Sequence, residues 1–275
     1  MFGDNHSPKP FFSVLLSSYN NDETIAEAIE AILNQSFQNF ELILVNDGST
    51  DLTSGIMKEF ADSFDFVHFI NNQINIGKSM SLNMAALMSS GEYLAIADAD
   101  DIWNVDKLEI QSQELIVNPE IDVVGGQLIR FGEWGISNVP TSLPLSNLEI
   151  TRSFRKGKMA INNPTSVIRR ESFLRVGGYR GYFRRNEDLD LFIRMYKMGA
   201  HFKNLPNVLI RYRTNTPIQS FQYWVKAEFS RWEIVIANSS KLSRILPFIF
   251  LPRFIRDSIR MVATFFIMKV MQRRV

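Results

Sequence analysis

The chain has 275 residues, 45% of them apolar and 21% charged, which suits one large domain or one domain with an appendage. A net charge of +1 provides no general attraction for nucleic acid. The absence of cysteine excludes disulfides and thiolate metal sites, and three scattered histidines argue against a histidine-rich zinc centre.

The first residues lack the basic stretch and apolar run of a signal peptide. No apolar run reaches the roughly 20 residues of a spanning helix, so the bulk of the chain is expected in the cytosol. Residues 11–18 predict a first strand. Residues 22–35 have helical spacing, with Ile25, Ala28, Ile29 and Ile32 on one face. Residues 40–45 predict a second strand, and a helix follows the capping types Ser49-Thr50-Asp51. A third strand is expected over 66–70, a helix over 78–88, a fourth strand over 93–97 and a helix over 104–117, closed by Asn118-Pro119. This alternation predicts an α/β fold with a mostly parallel, Rossmann-like sheet flanked by helices.

Ligands of such sheets bind beyond the carboxyl ends of the strands. Ser17-Ser18-Tyr19-Asn20 follow the first strand, Asn46-Asp47-Gly48-Ser49 the second, and Asp98-Ala99-Asp100-Asp101 the fourth. Several carboxylates beside an apolar strand are costly unless something positive neutralises them. Clustered carboxylate oxygens suit Mg²⁺ or Mn²⁺ and the phosphates such an ion holds. The alternative is a solvated acidic loop capping a helix.

The second half is less regular. A strand is expected over 121–130, bent at Gly125-Gly126 or open there to a ligand, then a loop over 132–144 and a basic helix over 147–158. A short strand over 164–169 precedes a turn-rich loop at 177–181. A helix over 187–198 opens with acids, as a helix N-terminus prefers, and a last strand covers 208–213. His68 reads as a packed residue of the third strand, and Trp103 as a packing anchor.

The segments Ser13-Val14-Leu15-Leu16-Ser17-Ser18-Tyr19-Asn20, Asn46-Asp47-Gly48-Ser49-Thr50-Asp51, Asp98-Ala99-Asp100-Asp101 and Glu187-Asp188-Leu189-Asp190 stand in an order and spacing that resemble family 2 glycosyltransferases. The resemblance covers roughly residues 11–213. It implies a GT-A fold, a nucleotide-sugar donor, a divalent cation and inversion at the anomeric carbon. By that resemblance Ser18, Tyr19 and Asp47 lie at the nucleotide, with Tyr19 and Asp47 on the base. Asp98 reaches the ribose, Lys78 approaches the phosphates, Asp100 ligates Mg²⁺ or Mn²⁺, and Asp188 is the general base. Two positions depart from the pattern. Ser17 stands where many relatives have proline, and Asn215 stands where many have a metal-binding histidine, which leaves its amide oxygen as a weaker ligand.

The chemistry needs such groups. Negative charge grows on the departing diphosphate, where a cation acts as a Lewis acid and Lys78 as a point charge. An acceptor hydroxyl loses its proton to a carboxylate within reach. At helical spacing Asp188 and Asp190 point in different directions. The organisation expected is a catalytic domain over 1–215, with a donor half to about 118 and an acceptor half after it, and a C-terminal helical extension over 216–275.

From Lys241 onward eight basic residues face one acid, Asp257. The apolar runs 245–251 and 261–268 are too short to span a bilayer. Such a segment suits a helix lying on an anionic membrane; the alternative is a helix packed on the catalytic domain or a second subunit. Arg180, Arg184 and Arg185 flank the expected acceptor loop, as ligands of an anionic acceptor or as a solvated basic loop. The reading is an inverting transferase that moves a sugar from a UDP-sugar to a glycan or lipid-linked acceptor. It would act in cell-surface polysaccharide synthesis, peripheral on the inner face of the plasma membrane. A sugar-phosphate nucleotidyltransferase would carry a Gly-rich basic loop where Ser17-Ser18-Tyr19-Asn20 stand. A non-catalytic glycan- or membrane-binding relative is the other alternative.

Overall fold

A computed structural model of the chain describes residues 9–132, 139–183, 185–214, 229–231, 233–235 and 237–238. Strands β1 (Phe12–Ser18), β2 (Phe40–Asn46), β3 (Val67–Asn71) and β4 (Tyr93–Asp98) pair in parallel in the order β3-β2-β1-β4. Every residue of β1 and β2 is buried, which is why they read as near-continuous apolar runs. The sheet continues through β7 (Val167–Arg169), antiparallel to β4, then β6 (Val123–Phe131) and β8 (Phe202–Arg213), parallel to each other, and ends at β5 (Ile102–Trp103). β5 follows β4 by three residues yet pairs with β8 through Ile102↔Arg211 and Trp103↔Ile210. The mostly parallel sheet therefore curls, and the end of β8 comes to lie beside the acidic segment after β4.

Alternate side chains of one strand serve opposite faces. Val14 and Leu16 join a core with Leu42 and Leu44, covered by α1 (Ile25–Leu33), α2 (Thr53–Ser63) and α4 (Lys107–Val117). Leu15, Ile43 and Val45 join the other core, covered by α3 (Lys78–Met88), α5 (Asn147–Arg155), α6 (Arg170–Arg175) and α7 (Glu187–Lys197). Helix α1 buries Ile25, Ala28, Ile29 and Ile32, the face that its spacing predicts.

Several boundaries differ from the sequence expectation. β8 begins at Phe202 rather than 208, because β6 holds it in register from Val123↔Phe202 across an irregularity at Gly125–Leu128. Pro206 lies in that irregular stretch, where a proline costs no regular ladder bond. α5 stops at Arg155, and Gly157 follows at φ +62°. The residue expected to pack, His68, is instead exposed; β3 is an edge strand, and His68 Nε2 reaches Glu41 Oε2 at 3.5 Å. Trp103 is buried as expected. The described part of the C-terminal segment lies on the catalytic domain: Ile234 is buried, Ser230 Oγ donates to the Arg185 carbonyl, and Asn238 Nδ2 donates to Asp190 Oδ1.

Lys107, at the start of α4, is completely buried. Its Nζ lies 3.0 Å from Gln111 Oε1 and 3.7 Å from the centroid of the Trp103 ring. Burial pushes its pKa well below the usual lysine value. Between that lowered value and the ordinary one, the unfolded chain holds a proton that the folded chain does not. Wild-type stability should therefore rise as pH climbs toward about 10, by up to ~1.4 kcal/mol per pH unit. The Lys107→Met variant should lack that rise. Urea unfolding of both proteins at neutral and alkaline pH checks this, and parallel stability curves would remove the claim.

Candidate active site

The carboxyl ends of β1, β2 and β4 open into one cleft of about 340 Å³. It is lined by Ser17, Tyr19 and Asn21 after β1, by Asp47 after β2, by Asn75, Gly77 and Lys78 at the start of α3, and by Asp98, Ala99 and Asp100 after β4. The three segments expected at one rim do converge there. Tyr19 is 46% exposed, so its ring is free to stack. Ser18 is buried with its hydroxyl donating to Asn21 Oδ1 at 3.0 Å, and its neighbour Ser17 lines the cleft instead.

The loops are tied to one another. The Asn20 N–H donates to Ser49 Oγ at 3.1 Å, and Asn20 Oδ1 accepts from the Thr50 N–H at 2.8 Å. Thr24 Oγ1 donates to the Ala99 carbonyl at 3.0 Å. Gly48, at φ +73°, lies so close to the 74–75 backbone that a Cβ would fall 2.6 Å from Asn75 N; only glycine fits there.

Asp47 is buried and accepts four hydrogen bonds. Oδ1 takes them from Asn72 Nδ2 (3.1 Å), the Ile76 N–H (2.9 Å) and Ser81 Oγ (3.0 Å), and Oδ2 from the Gly77 N–H (2.9 Å). Oδ1 is fully engaged, while Oδ2 keeps acceptor capacity. Asp47 thus fixes the loop that delivers Lys78. Lys78 Nζ sits 2.5 Å from Asp98 Oδ1. Burial alone would lower the lysine's pKa, but Asp98 raises it, with smaller help from Glu187 and Asp188, so Lys78 stays charged.

Beside this pair negative charge is in excess. Burial, then the charge of Asp98, raises the pKa of Asp100. Asp101 is 1% exposed and raised for the same two reasons. Its Oδ1 accepts from the Arg213 N–H at 2.9 Å, while its buried Oδ2 has no hydrogen-bond partner. Mutually repelling carboxylates with one orphaned oxygen are a donor set that a divalent cation suits. Asp98 and Asp100 open onto the cleft. Among the described residues no group of three His, Cys, Asp or Glu is placed to hold a metal, so phosphate oxygens and water would complete the shell, as is usual for Mg²⁺. Asn215 and Arg184 lie outside the described residues.

Asp188 stands in the first turn of α7, after Asn186 at φ +54°. Burial, then the neighbouring charge of Glu187, pushes its pKa up to about 7; the Leu189 N–H, 2.8 Å from Oδ1, and Lys78 pull the other way. Its field and that of Asp98 both act on Lys78 and on Tyr179, so the start of α7 lies within electrostatic reach of the Lys78–Asp98 pair, although Asp188 does not line the 340 Å³ cleft. Asp190 has a different task. It is fully buried, bound to Arg194 at 2.8 Å and Arg180 at 3.3 Å.

Residues not singled out by sequence also build the site. Asn72 and Ser81 hold Asp47. Arg213 Nε donates to the Asp100 carbonyl at 2.8 Å, its guanidinium reaches Glu27, and it stacks 4.5 Å over the Phe131 ring, clamping the acidic loop. The Tyr-Arg pair at 212–213 is visible in sequence, but the role of Arg213 depends on the curl of the sheet.

A sequence profile described as glycosyl transferase family 2 matches residues 13–177. EpsE of Bacillus subtilis strain 168 is 34% identical over 226 residues, 78% of this chain and 78% of that protein. The UDP-Glc:alpha-D-GlcNAc-diphosphoundecaprenol beta-1,3-glucosyltransferase WfgD of Escherichia coli is 35% identical over 106 residues, 38% of this chain and 41% of that protein. The crystal structure of S. aureus TarS 1-349 in complex with UDP-GlcNAc has a TM-score of 0.65 at 20% identity, covering 82% of this chain and 66% of that one, a likeness of fold. The profile spans more than half of the sequence and the cleft sits where the strand order leads, so the chain belongs to glycosyltransferase family 2 and has a GT-A fold.

Proposed function

We propose that the chain is an inverting transferase that moves a sugar from a UDP-sugar to a hydroxyl of a glycan or lipid-linked acceptor, in cell-surface polysaccharide synthesis. The observation that carries this reading is the convergence of Lys78, Asp98 and Asp100 on one cleft, with Asp188, whose pKa burial raises to about 7, within electrostatic reach of Lys78. A base with that pKa is half ionised near neutrality and takes a proton from an attacking hydroxyl efficiently. One base on the acceptor side and cations on the leaving-group side fit a single displacement.

Asp100 would hold Mg²⁺ or Mn²⁺, with Asp98 beside it on the ribose. When bound, such an ion supplies Lewis-acid stabilisation of the departing diphosphate. Lys78, freed from Asp98 by the incoming ribose and phosphates, adds a fixed positive charge. Tyr19 offers an exposed ring to the base. Asp47 holds residues 76–77 in place through both oxygens, and from the cleft lining it would meet the base with the acceptor capacity left on Oδ2. The UDP-linked names of WfgD and of the TarS complex support uridine, and the diphosphoundecaprenol in the WfgD name supports a lipid-linked acceptor.

A thermal-shift panel of UDP- and GDP-sugars with Mg²⁺ or Mn²⁺ tests the reading. A donor at about 100 times its Kd should stabilise by ~2.7 kcal/mol, and a UDP-sugar should give the largest shift. No shift with any sugar nucleotide would count against the proposal. The segment beyond residue 240 is proposed to bring the enzyme to its lipid-linked acceptor, since eight basic residues, one acid and large apolar side chains suit an anionic surface. Full-length protein should sediment with anionic vesicles at low salt, and a chain ending at Ser240 should not. A full-length protein that stays in the supernatant would end that part of the reading.

A further inference from the structure

Helices α3 and α7 cover the same face of the sheet. One begins at Lys78 and the other carries Asp188 in its first turn. Between them runs the turn 176–180, and it is gripped from both sides. From α3, the Asn83 amide binds both main-chain groups of Tyr179: Nδ2 donates to its carbonyl at 2.7 Å, and Oδ1 accepts from its N–H at 2.8 Å. From α7, Arg194 donates through Nη1 to the Val176 carbonyl and through Nη2 to the Gly178 carbonyl, both at 2.6 Å. The same Arg194 binds Asp190 at 2.8 Å, two residues beyond Asp188. Gly178 adopts φ +62°, and a Cβ there would fall 2.3 Å from Asn83 Oδ1. The turn is thus seated as closely on Asn83 as a backbone allows.

We infer that Asn83 is a positioning residue: with the 176–180 turn and Arg194 it forms a bracket that sets the separation of Lys78 from Asp188. The inference rests on the reading of those two residues as leaving-group cation and base. Its physical content is that the two reacting sides of the cleft belong to different helices. A side chain from one helix that mimics a strand partner for a turn held by the other leaves little slack between them. Displacing a reacting group by about 1 Å costs roughly 100-fold in rate. Neither end of the Asn83 bond touches the cleft lining, so its loss should spare donor binding.

The absence of native cysteine makes the separation directly measurable. Spin labels on Leu87→Cys in α3 and Met198→Cys after α7, both well exposed, report the distance by pulsed electron resonance. Asn83→Leu keeps the volume and removes both hydrogen bonds; Asn83→Asp keeps the acceptor for the Tyr179 N–H but opposes its carbonyl, and serves as the milder variant. The expected result is a narrow distribution in the otherwise unchanged chain, broadened in Asn83→Leu and less so in Asn83→Asp. Hydrolysis of UDP-glucose or UDP-GlcNAc with Mn²⁺ should lose about 100-fold in kcat with KM unchanged, and Asn83→Asp should fall between. An unaltered distance distribution in folded Asn83→Leu overturns the bracket whatever the activity. A broadened one with unaltered kcat overturns its positioning role. Should the wild type turn over no sugar nucleotide, the proposed function fails on its own, and the distances still decide the bracket.

Discussion

Asp188→Asn is expected to lower kcat by about 10²–10⁴-fold, the usual worth of a positioned general base, while nucleotide affinity stays near wild type. The amide keeps the shape and accepts the same Leu189 N–H but takes no proton. The wild-type pH profile should carry the same signature. Because burial and Glu187 raise the Asp188 pKa to about 7, the base is protonated and idle below that pH, and kcat/KM should rise through it. Glu187→Gln removes the second-largest cause of the shift, so the midpoint should move to lower pH. Stability should run the opposite way from activity. The folded carboxyl holds its proton above the ordinary aspartate value, so the folded state binds more protons than the unfolded one between about pH 4 and 7, and stability falls as pH rises across that window. Asp188→Asn removes that fall, and its gain in melting temperature should be larger at neutral than at acid pH. An active site that stores such a cost is a common trade between stability and function. A variant with wild-type turnover would take the base assignment away.

Much of the donor half is legible in sequence because its strands lie in the middle of a parallel sheet. Leu42-Ile43-Leu44-Val45 and Leu94-Ala95-Ile96-Ala97 are apolar at every position, and only a strand covered on both faces asks for that. The face of α1 is equally plain. Where the covering is one-sided the signal fails: His68 sits on an edge strand, so its apolar neighbours say nothing of its own exposure. Short elements fail differently. β5 has two residues and exists because β8 curls back to it, a partnership more than 100 residues away in sequence. The site follows the same division. Its carboxylates are readable as a cluster at a strand end, but their tasks are set by distant partners. Asp47 reads as a nucleotide ligand, and its second task, holding the 76–77 amides with Asn72 and Ser81, shows only in the structure. Asn83 reads as a polar residue of a helix until Tyr179, 96 positions on, is found in its grip. Local periodicity carries elements; long-range hydrogen bonds carry roles.

Asp100→Ala is expected to remove cation-dependent turnover, and the reason lies in how charge is distributed at the end of β4. Asp98 already has a cation, Lys78, at 2.5 Å, whereas Asp100 has burial and a like charge against it. Asp98 is therefore paired without a divalent ion, whereas Asp100 is the carboxylate that an ion would relieve. Removing Asp100 should cost about 10²–10³-fold in kcat with Mn²⁺ present, comparable to deleting one preorganised electrostatic partner of a developing charge, and should abolish the response to added Mn²⁺. Without metal the same variant should melt higher than wild type, because a repelled, half-desolvated carboxylate has gone and Asp101 loses one of the charges that raise its pKa. With saturating Mn²⁺ and UDP the order should reverse, since only the wild type gains binding free energy from the ion. That crossing of melting temperatures separates a ligand from a residue that merely shapes the loop: a loop residue would shift both conditions alike. If the variant keeps wild-type dependence on Mn²⁺ and its melting curve never crosses, the cation is held elsewhere and the acidic end of β4 has another purpose.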